Sequence, residues 1–302
     1  MNLGKIQVAI LFLILANIIW GAAFPIYKWS LEELPPFTFV FIRFFLGALI
    51  ILPFVIKKLK IAREDYRNLI ILSICSVTLQ IPLLFLGLKL TPSINAPIII
   101  AFGPIFLMMA SVIFLKEKLK SKVVAGIFIS LLGILTIILR PLMESGLSGG
   151  VIGSFLIFLA TICGVFQAVL LKKLTVRNDP LTITFWMFLI GSLPLLSFVI
   201  WESQSFSLTQ DLTMKGFIGI LYGVYLAAIL AHYFLAYGIK YIKASEVGVF
   251  SYVDPIATIV IAVPLLNEVI TPAYVIGAML VFLGIFIAEG RIHYHPFHRL
   301  LR

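Results

Sequence analysis

Two hydrophobic runs, Ser93 to Glu117 and Ser245 to Glu268, fix what this chain can become. Each has the length a helix needs to cross a hydrocarbon core, about 20 residues. Each carries an interior proline, Pro104 or Pro255, and ends in a glutamate, Glu117 or Glu268, ahead of a second apolar run. The pairs Pro104/Pro255, Glu117/Glu268, Gly126/Gly277 and Gly133/Gly284 all stand 151 residues apart. Backbone N–H and C=O groups find no water in lipid, so a spanning segment pairs them internally, as an α-helix does. The pattern specifies an internally duplicated, all-α integral membrane protein.

The rest of the chain extends the pattern. Apolar spans are read at 6–27, 37–56, 69–88, 94–115, 123–140, 151–171, 181–201, 216–239, 246–266 and 272–290. Span 1 is too long for a signal peptide and has a counterpart later in the chain, so it is kept. Phe37-Thr38 and Gly47 in the second span match Leu181-Thr182 and Gly191 in the seventh at an offset of 144. The sequence thus predicts ten transmembrane helices in two five-helix repeats, 1–140 and 150–290, with an outer linker at 141–149 and a cytoplasmic tail at 291–302. An odd number of crossings sends the second repeat in from the opposite side, so the repeats are inverted. With the N terminus inside, 18 Lys and Arg fall in cytoplasmic segments and four outside. Cytoplasmic loops collect basic residues, which places both termini in the cytoplasm of a multi-pass cell-membrane protein.

At 62% hydrophobic and 12% charged, the composition leaves no stretch able to bury a soluble core. The net charge of +10 belongs to these loops rather than to a nucleic-acid partner. Cys75 and Cys163 lie inside apolar spans and read as small buried hydrophobes. Inverted five-helix units are a carrier architecture, with a small-molecule site near the midplane where matching helices are interrupted. Pro104 and Pro255 are the matching helix kinks, either at that site or as packing kinks with no substrate contact.

Polar groups inside a membrane are costly and face a cavity or a partner. In span 8, Tyr222, Tyr225, His232, Tyr233 and Tyr237 fall within an arc of roughly 140° at 100° per residue. Such a face suits stacking on an aromatic or cationic solute, and an interfacial tyrosine belt is the competing reading. In span 3, Ser73, Ser76 and Gln80 share a face, with Gln80 within one residue of the depth of His232, which suits a central site or a structural hydrogen bond between helices. Asn17 and Trp20 in span 1, Asn95 and Phe102 in span 4, Gln167 in span 6 and Tyr252 in span 9 complete the candidate substrate-binding set. Arg43 and Asp254 are charges well inside spans 2 and 9; they pair with each other, or Asp254 titrates and couples transport to protons, or Arg43 bonds to carbonyls. Gly126/Gly133 and Gly277/Gly284 read as close helix contacts.

These residues also resemble a known family. Trp20-Gly21-Ala22-Ala23-Phe24, Leu34-Pro35-Pro36-Phe37 leading to Arg43-Phe44, Pro104 with Leu115-Lys116-Glu117-Lys118-Leu119, and Gly126 to Gly133 are similar to the EamA-type members of the drug/metabolite transporter superfamily. Asp254-Pro255, Leu266-Asn267-Glu268 and Gly277 to Gly284 repeat the pattern. The resemblance implies a ten-helix carrier, often an exporter, of amino acids, metabolites or drugs. Two departures make the copies unequal: Asn267 stands where the family usually has glycine, and Met187 stands at the position matching Arg43.

The alternatives are a membrane-embedded enzyme and a channel. Gly146-Leu147-Ser148-Gly149-Gly150 matches G-x-S-x-G but lacks the preceding strand that a nucleophile elbow needs. His293, His295 and His298 lie in the tail and read as solvated. No Walker A loop is present, so secondary rather than ATP-driven transport is expected, with no cofactor and no metal. A channel requires a continuous polar lining, and the polar groups here cluster in depth. The oligomeric state, a homo-oligomer included, is left open by the sequence.

Overall fold

Closing every backbone hydrogen bond within one rod is the rule the fold obeys. The computed structural model describes residues 3–103, 105–106, 121–145, 149–208, 211–242 and 247–289. Pro104, Glu117, the Gly146–Ser148 part of the linker motif and the histidine-bearing tail lie outside the described residues. The elements are α1 (Leu3–Ser30), α2 (Pro36–Val55), α3 (Arg63–Leu90), α4 (Asn95–Ile100) and α5 (Ser121–Ser145). They continue as α6 (Gly149–Thr175), α7 (Pro180–Glu202), α8 (Met214–Tyr241), α9 (Asp254–Leu266) and α10 (Pro272–Glu289). Among the described residues, α1, α2, α3, α6, α7 and α8 are long and apolar enough to cross a membrane. The protein is therefore an all-helical, multi-pass membrane protein, with large apolar side chains such as Phe128 and Met279 turned outward to lipid.

Several rods are not uniform. Helix α3 contains a π-helical stretch at Ile74–Gln80, and α8 contains one at Tyr222–Leu230. A 3-10 segment, Gly248–Val253, leads into α9, and the change to α winding falls at Asp254 with Pro255 in the first turn. Proline is tolerated there because a first-turn N–H has no intrahelical acceptor to lose. Helix α2 begins after Pro35, which offers no capping side chain. Its free N–H groups are met from the end of α7: Glu202 accepts from Phe37 N at 3.1 Å, Thr38 N at 2.7 Å and Thr38 Oγ1 at 2.8 Å. Helix α7 caps itself, with Asp179 accepting from Leu181 N and Thr182 N.

Between helices in lipid, association rests on close packing, so glycines mark the tightest crossings. On α5 and α10, a Cβ at Gly133 would lie 2.6 Å from Gly277 O, and one at Gly284 would lie 2.5 Å from Gly126 O. The glycines expected to pack closely therefore meet each other. Other contacts recur at the two sequence offsets. Gly87 of α3 abuts Ile157 of α6, while Gly238 of α8 abuts Leu13 of α1. Residues 87 and 238 are 151 apart, and 13 and 157 are 144 apart. Likewise Lys28 Nζ donates to Thr91 O at 2.5 Å, and Lys172 Nζ donates to Ile242 O at 2.9 Å, again pairing the offsets 144 and 151. In each case a lysine neutralises the carbonyl end of the neighbouring helix.

Candidate functional site

The site is built on one carbonyl. A π-helical turn displaces the backbone ladder from its i→i−4 register and is a common feature of functional helices. In the π stretch of α8, Ala227 O accepts from Trp20 Nε1 of α1 at 3.0 Å and from Arg43 Nη2 of α2 at 3.1 Å. His232 Nδ1 lies 3.0 Å from the same oxygen. A carbonyl only accepts, so the Nδ1–H tautomer is assigned and Nε2 is left as an acceptor. Three helices are thereby tied to one atom.

Aromatic packing fixes the same groups. The Trp20 and His232 rings meet edge-on at 5.2 Å, and His232 also meets Phe188 at 5.2 Å and Phe44 at 5.8 Å. The Arg43 guanidinium carbon sits 4.9 Å from the Tyr27 ring centroid and 4.7 Å from that of Phe44. Arg43 is buried, and its Nε finds no hydrogen-bond partner among the described residues. Nor does it pair with Asp254, whose Oδ1 is buried without a partner among the described residues. Of the fates expected for the two charges, bonding of Arg43 to a carbonyl is the one observed, here reinforced by cation–π contact.

A cavity of about 220 Å³ opens against these groups. Of the expected residues, Asn17, Trp20, Arg43, Gln80, Gln167, His232 and Asp254 line it. Asn17 Nδ2 donates to Leu13 O at 2.7 Å. The Gln80 amide occupies the space over Gly164, where a Cβ would come within 2.9 Å of Nε2, and Gln80 Oε1 has no partner among the described residues. Trp20 and Gly164 are separated by 144 residues, so the position of a large ring in one half is matched by a glycine in the other, over which the Gln80 amide lies. Buried polar atoms are normally satisfied. Among the described residues, four around this cavity are not: Tyr27 OH, Arg43 Nε, Gln80 Oε1 and Asp254 Oδ1.

The remaining expected residues lie elsewhere. Asn95 is buried at the start of α4, where Nδ2 donates to Thr91 Oγ1 at 3.2 Å. Phe102 packs edge-on against Phe106 at 5.0 Å, and Tyr252 does so against Phe282 at 5.6 Å. Tyr233 joins a cluster with Phe12, Phe234 and Tyr237. Tyr225 is 53% exposed on the outer surface of α8. Pro255 is buried beside Asp254 without lining the cavity. Tyr27, Thr161, Gly164 and Ser251 line the cavity although they were not expected to. Tyr27 was within reach of pattern reading, since it lies seven residues, two helical turns, from Trp20. Cys75 and Cys163 are free and half-buried.

The EamA-like transporter family model matches residues 7–139 and, a second time, residues 151–289. The chain belongs to that family. An uncharacterized transporter of Archaeoglobus fulgidus is 26% identical over 286 residues, 94% of this chain and 98% of that protein. The uncharacterized transporter YyaM of Bacillus subtilis is 30% identical over 285 residues, 91% of this chain and 92% of its own. A crystal structure with 17% identity superposes with a TM-score of 0.66, covering 96% of this chain and 99% of the other, and shares the fold. Within the EamA-like framework the two departures acquire a geometry. Asn267 ends α9 in the left-handed region at φ 52°, which asparagine tolerates in place of glycine. Met187 is buried in the α7 core.

Proposed function

We propose that this EamA-like protein is a secondary-active carrier that exports small metabolites, such as amino acids or related organic solutes, across the cell membrane by alternating access. The carrying observation is the cavity of about 220 Å³ with Arg43, Gln80 and Asp254 presenting unpartnered buried atoms. Its volume lies below the ~300–1,000 Å³ of pockets for drug-sized ligands and suits a metabolite-sized solute. Ten crossings in two inverted repeats, both termini cytoplasmic, is the topology we adopt. The double family match and the contacts that recur at offsets 144 and 151 support it. In this reading Lys28 and Lys172 are counterpart clamps on opposite faces, and the halves rock about the central site.

Asp254 is the proposed coupling group. A buried carboxylate with no cation beside it among the described residues can take up a proton when hydrated from one side and release it on the other. The decisive test is flux in liposomes containing the purified protein, with a panel of amino acids and small metabolites. A carrier saturates and exchanges solute across the bilayer. Unsaturable conductance would identify a channel, and a new chemical product an enzyme; either result overturns the proposal.

A further inference from the structure

Away from the cavity, the turn after α2 and the loop before α7 meet in an open cleft of about 560 Å³. Lys57, Lys58 and Lys60 line one wall, and Arg177 and Asp179 the other. The turn is held in place: Trp186 Nε1 donates to Leu59 O at 3.0 Å, and Thr182 Oγ1 donates to Lys58 O at 3.3 Å. Neighbouring carboxylates are already engaged. Asp179 accepts from the first N–H groups of α7, Glu64 pairs with Arg177 at 2.9 Å, and Asp65 accepts from Asn178 Nδ2 at 2.8 Å. Among the described residues no carboxylate pairs with Lys57, Lys58 or Lys60.

Gathering like charges is unfavourable unless an anion answers them. The bias of basic residues toward one face accounts for their sign, but not for two segments converging on a held, concave wall. The fold itself does not require lysines in this turn. At the counterpart turn, 144 residues on, Trp201, Glu202 and Gln204 stand in their places. Residues next to the cleft in sequence are exposed and apolar: Phe54, three positions before Lys57, is 75% exposed, and Val176, adjacent to Arg177, is 72% exposed. Basic side chains beside exposed apolar ones match the chemistry of a phospholipid with an anionic headgroup.

We infer that this cleft binds the phosphate-bearing headgroup of an anionic phospholipid, with its acyl chains lying along Phe54, Ile56 and Val176. The site is separate from the cavity and does not depend on what the carrier transports. A juxtamembrane lysine contributes roughly fivefold to such binding, so replacing three should weaken it about a hundredfold.

Native mass spectrometry of the full chain in mixed micelles tests this, with phosphatidylglycerol, phosphatidylcholine of the same acyl chains, or inorganic phosphate as probe. The expected result is a phosphatidylglycerol adduct on the unaltered protein, weakened about a hundredfold in K57Q/K58Q/K60Q. It should persist in K57R/K58R/K60R, which controls for folding, and in K5Q/K173Q/K240Q, which removes the same charge elsewhere. Undiminished phosphatidylglycerol binding by K57Q/K58Q/K60Q would overturn the inference, as would equal loss in K5Q/K173Q/K240Q. Lysine-dependent retention of inorganic phosphate alone would assign the cleft to a soluble phosphate and overturn the lipid.

Discussion

Replacing Glu268 by glutamine should open the cavity toward the face opposite the N terminus. The carboxylate accepts from Ser93 N at 2.7 Å through Oε1 and from Ile94 N at 3.0 Å through Oε2. Lys28 Nζ approaches Oε1 at 3.7 Å while donating to Thr91 O. One side chain thus joins the end of α9 to α1 and to the corner between α3 and α4. Glutamine keeps one acceptor but turns its NH2 toward the other N–H, losing a charge-assisted bond and adding a donor–donor contact. Such a bond contributes about 1.5–3 kcal/mol, and the long 3.7 Å approach of a lysine already bonded to Thr91 O adds less than about 1 kcal/mol. A net loss of about 2–3 kcal/mol shifts the ratio of closed to open states about 30- to 150-fold. The assay uses a protein with Cys75 and Cys163 replaced by serine and Phe24, which lines the cavity, replaced by cysteine. A membrane-impermeant maleimide supplied from the face opposite the N terminus should label the Glu268→Gln protein faster by up to that factor. An unchanged rate in a cooperatively folded protein refutes the latch. Equal acceleration from both faces means a loosened fold and refutes it equally.

An Asp254→Asn protein should reach the membrane and lose the dependence of its transport on a proton gradient; unchanged dependence, measured as liposome flux with and without a pH gradient, removes Asp254 from coupling. Gly133→Ala places a methyl group 2.6 Å from Gly277 O, an overpacking that costs about 1–3 kcal/mol. Thermal unfolding should fall accordingly, while Phe128→Ala, at a lipid-facing position, should leave it nearly unchanged. Trp20→Phe keeps a ring but removes the bond to Ala227 O, a change of about 1 kcal/mol, so substrate affinity measured by saturation of flux should drop several-fold with normal expression. A reporter fused after Arg302 should read out as cytoplasmic, and an external signal would remove the inverted topology.

Much of the outcome was legible because lipid allows so few solutions. Helical rods, the duplication and the glycine crossing of α5 and α10 follow from apolar length and from landmarks repeated at a fixed offset. Residues of α1, α3, α6 and α8 that had no reason to be polar in lipid, Asn17, Gln80, Gln167 and His232, do converge on one cavity. Their cost outside a polar environment made them visible in the sequence. What misled was winding. The arc that grouped Tyr225 with His232 assumed 100° per residue, but Tyr225 lies within the π stretch Tyr222–Leu230, which turns less per residue, so Tyr225 faces outward. In the 3-10 segment Gly248–Val253 the turn is tighter, and Ser251, three residues before Asp254, lines the cavity in place of Tyr252. The sequence by itself determined the class of protein, its repeats and its costly polar groups, because these are local or periodic properties. Only the tertiary structure decided that Trp20, Arg43 and His232 would share Ala227 O, and that Asp254 would stand apart from Arg43. Those outcomes depend on which helices meet and at what depth, which is set by packing between segments far apart in the chain.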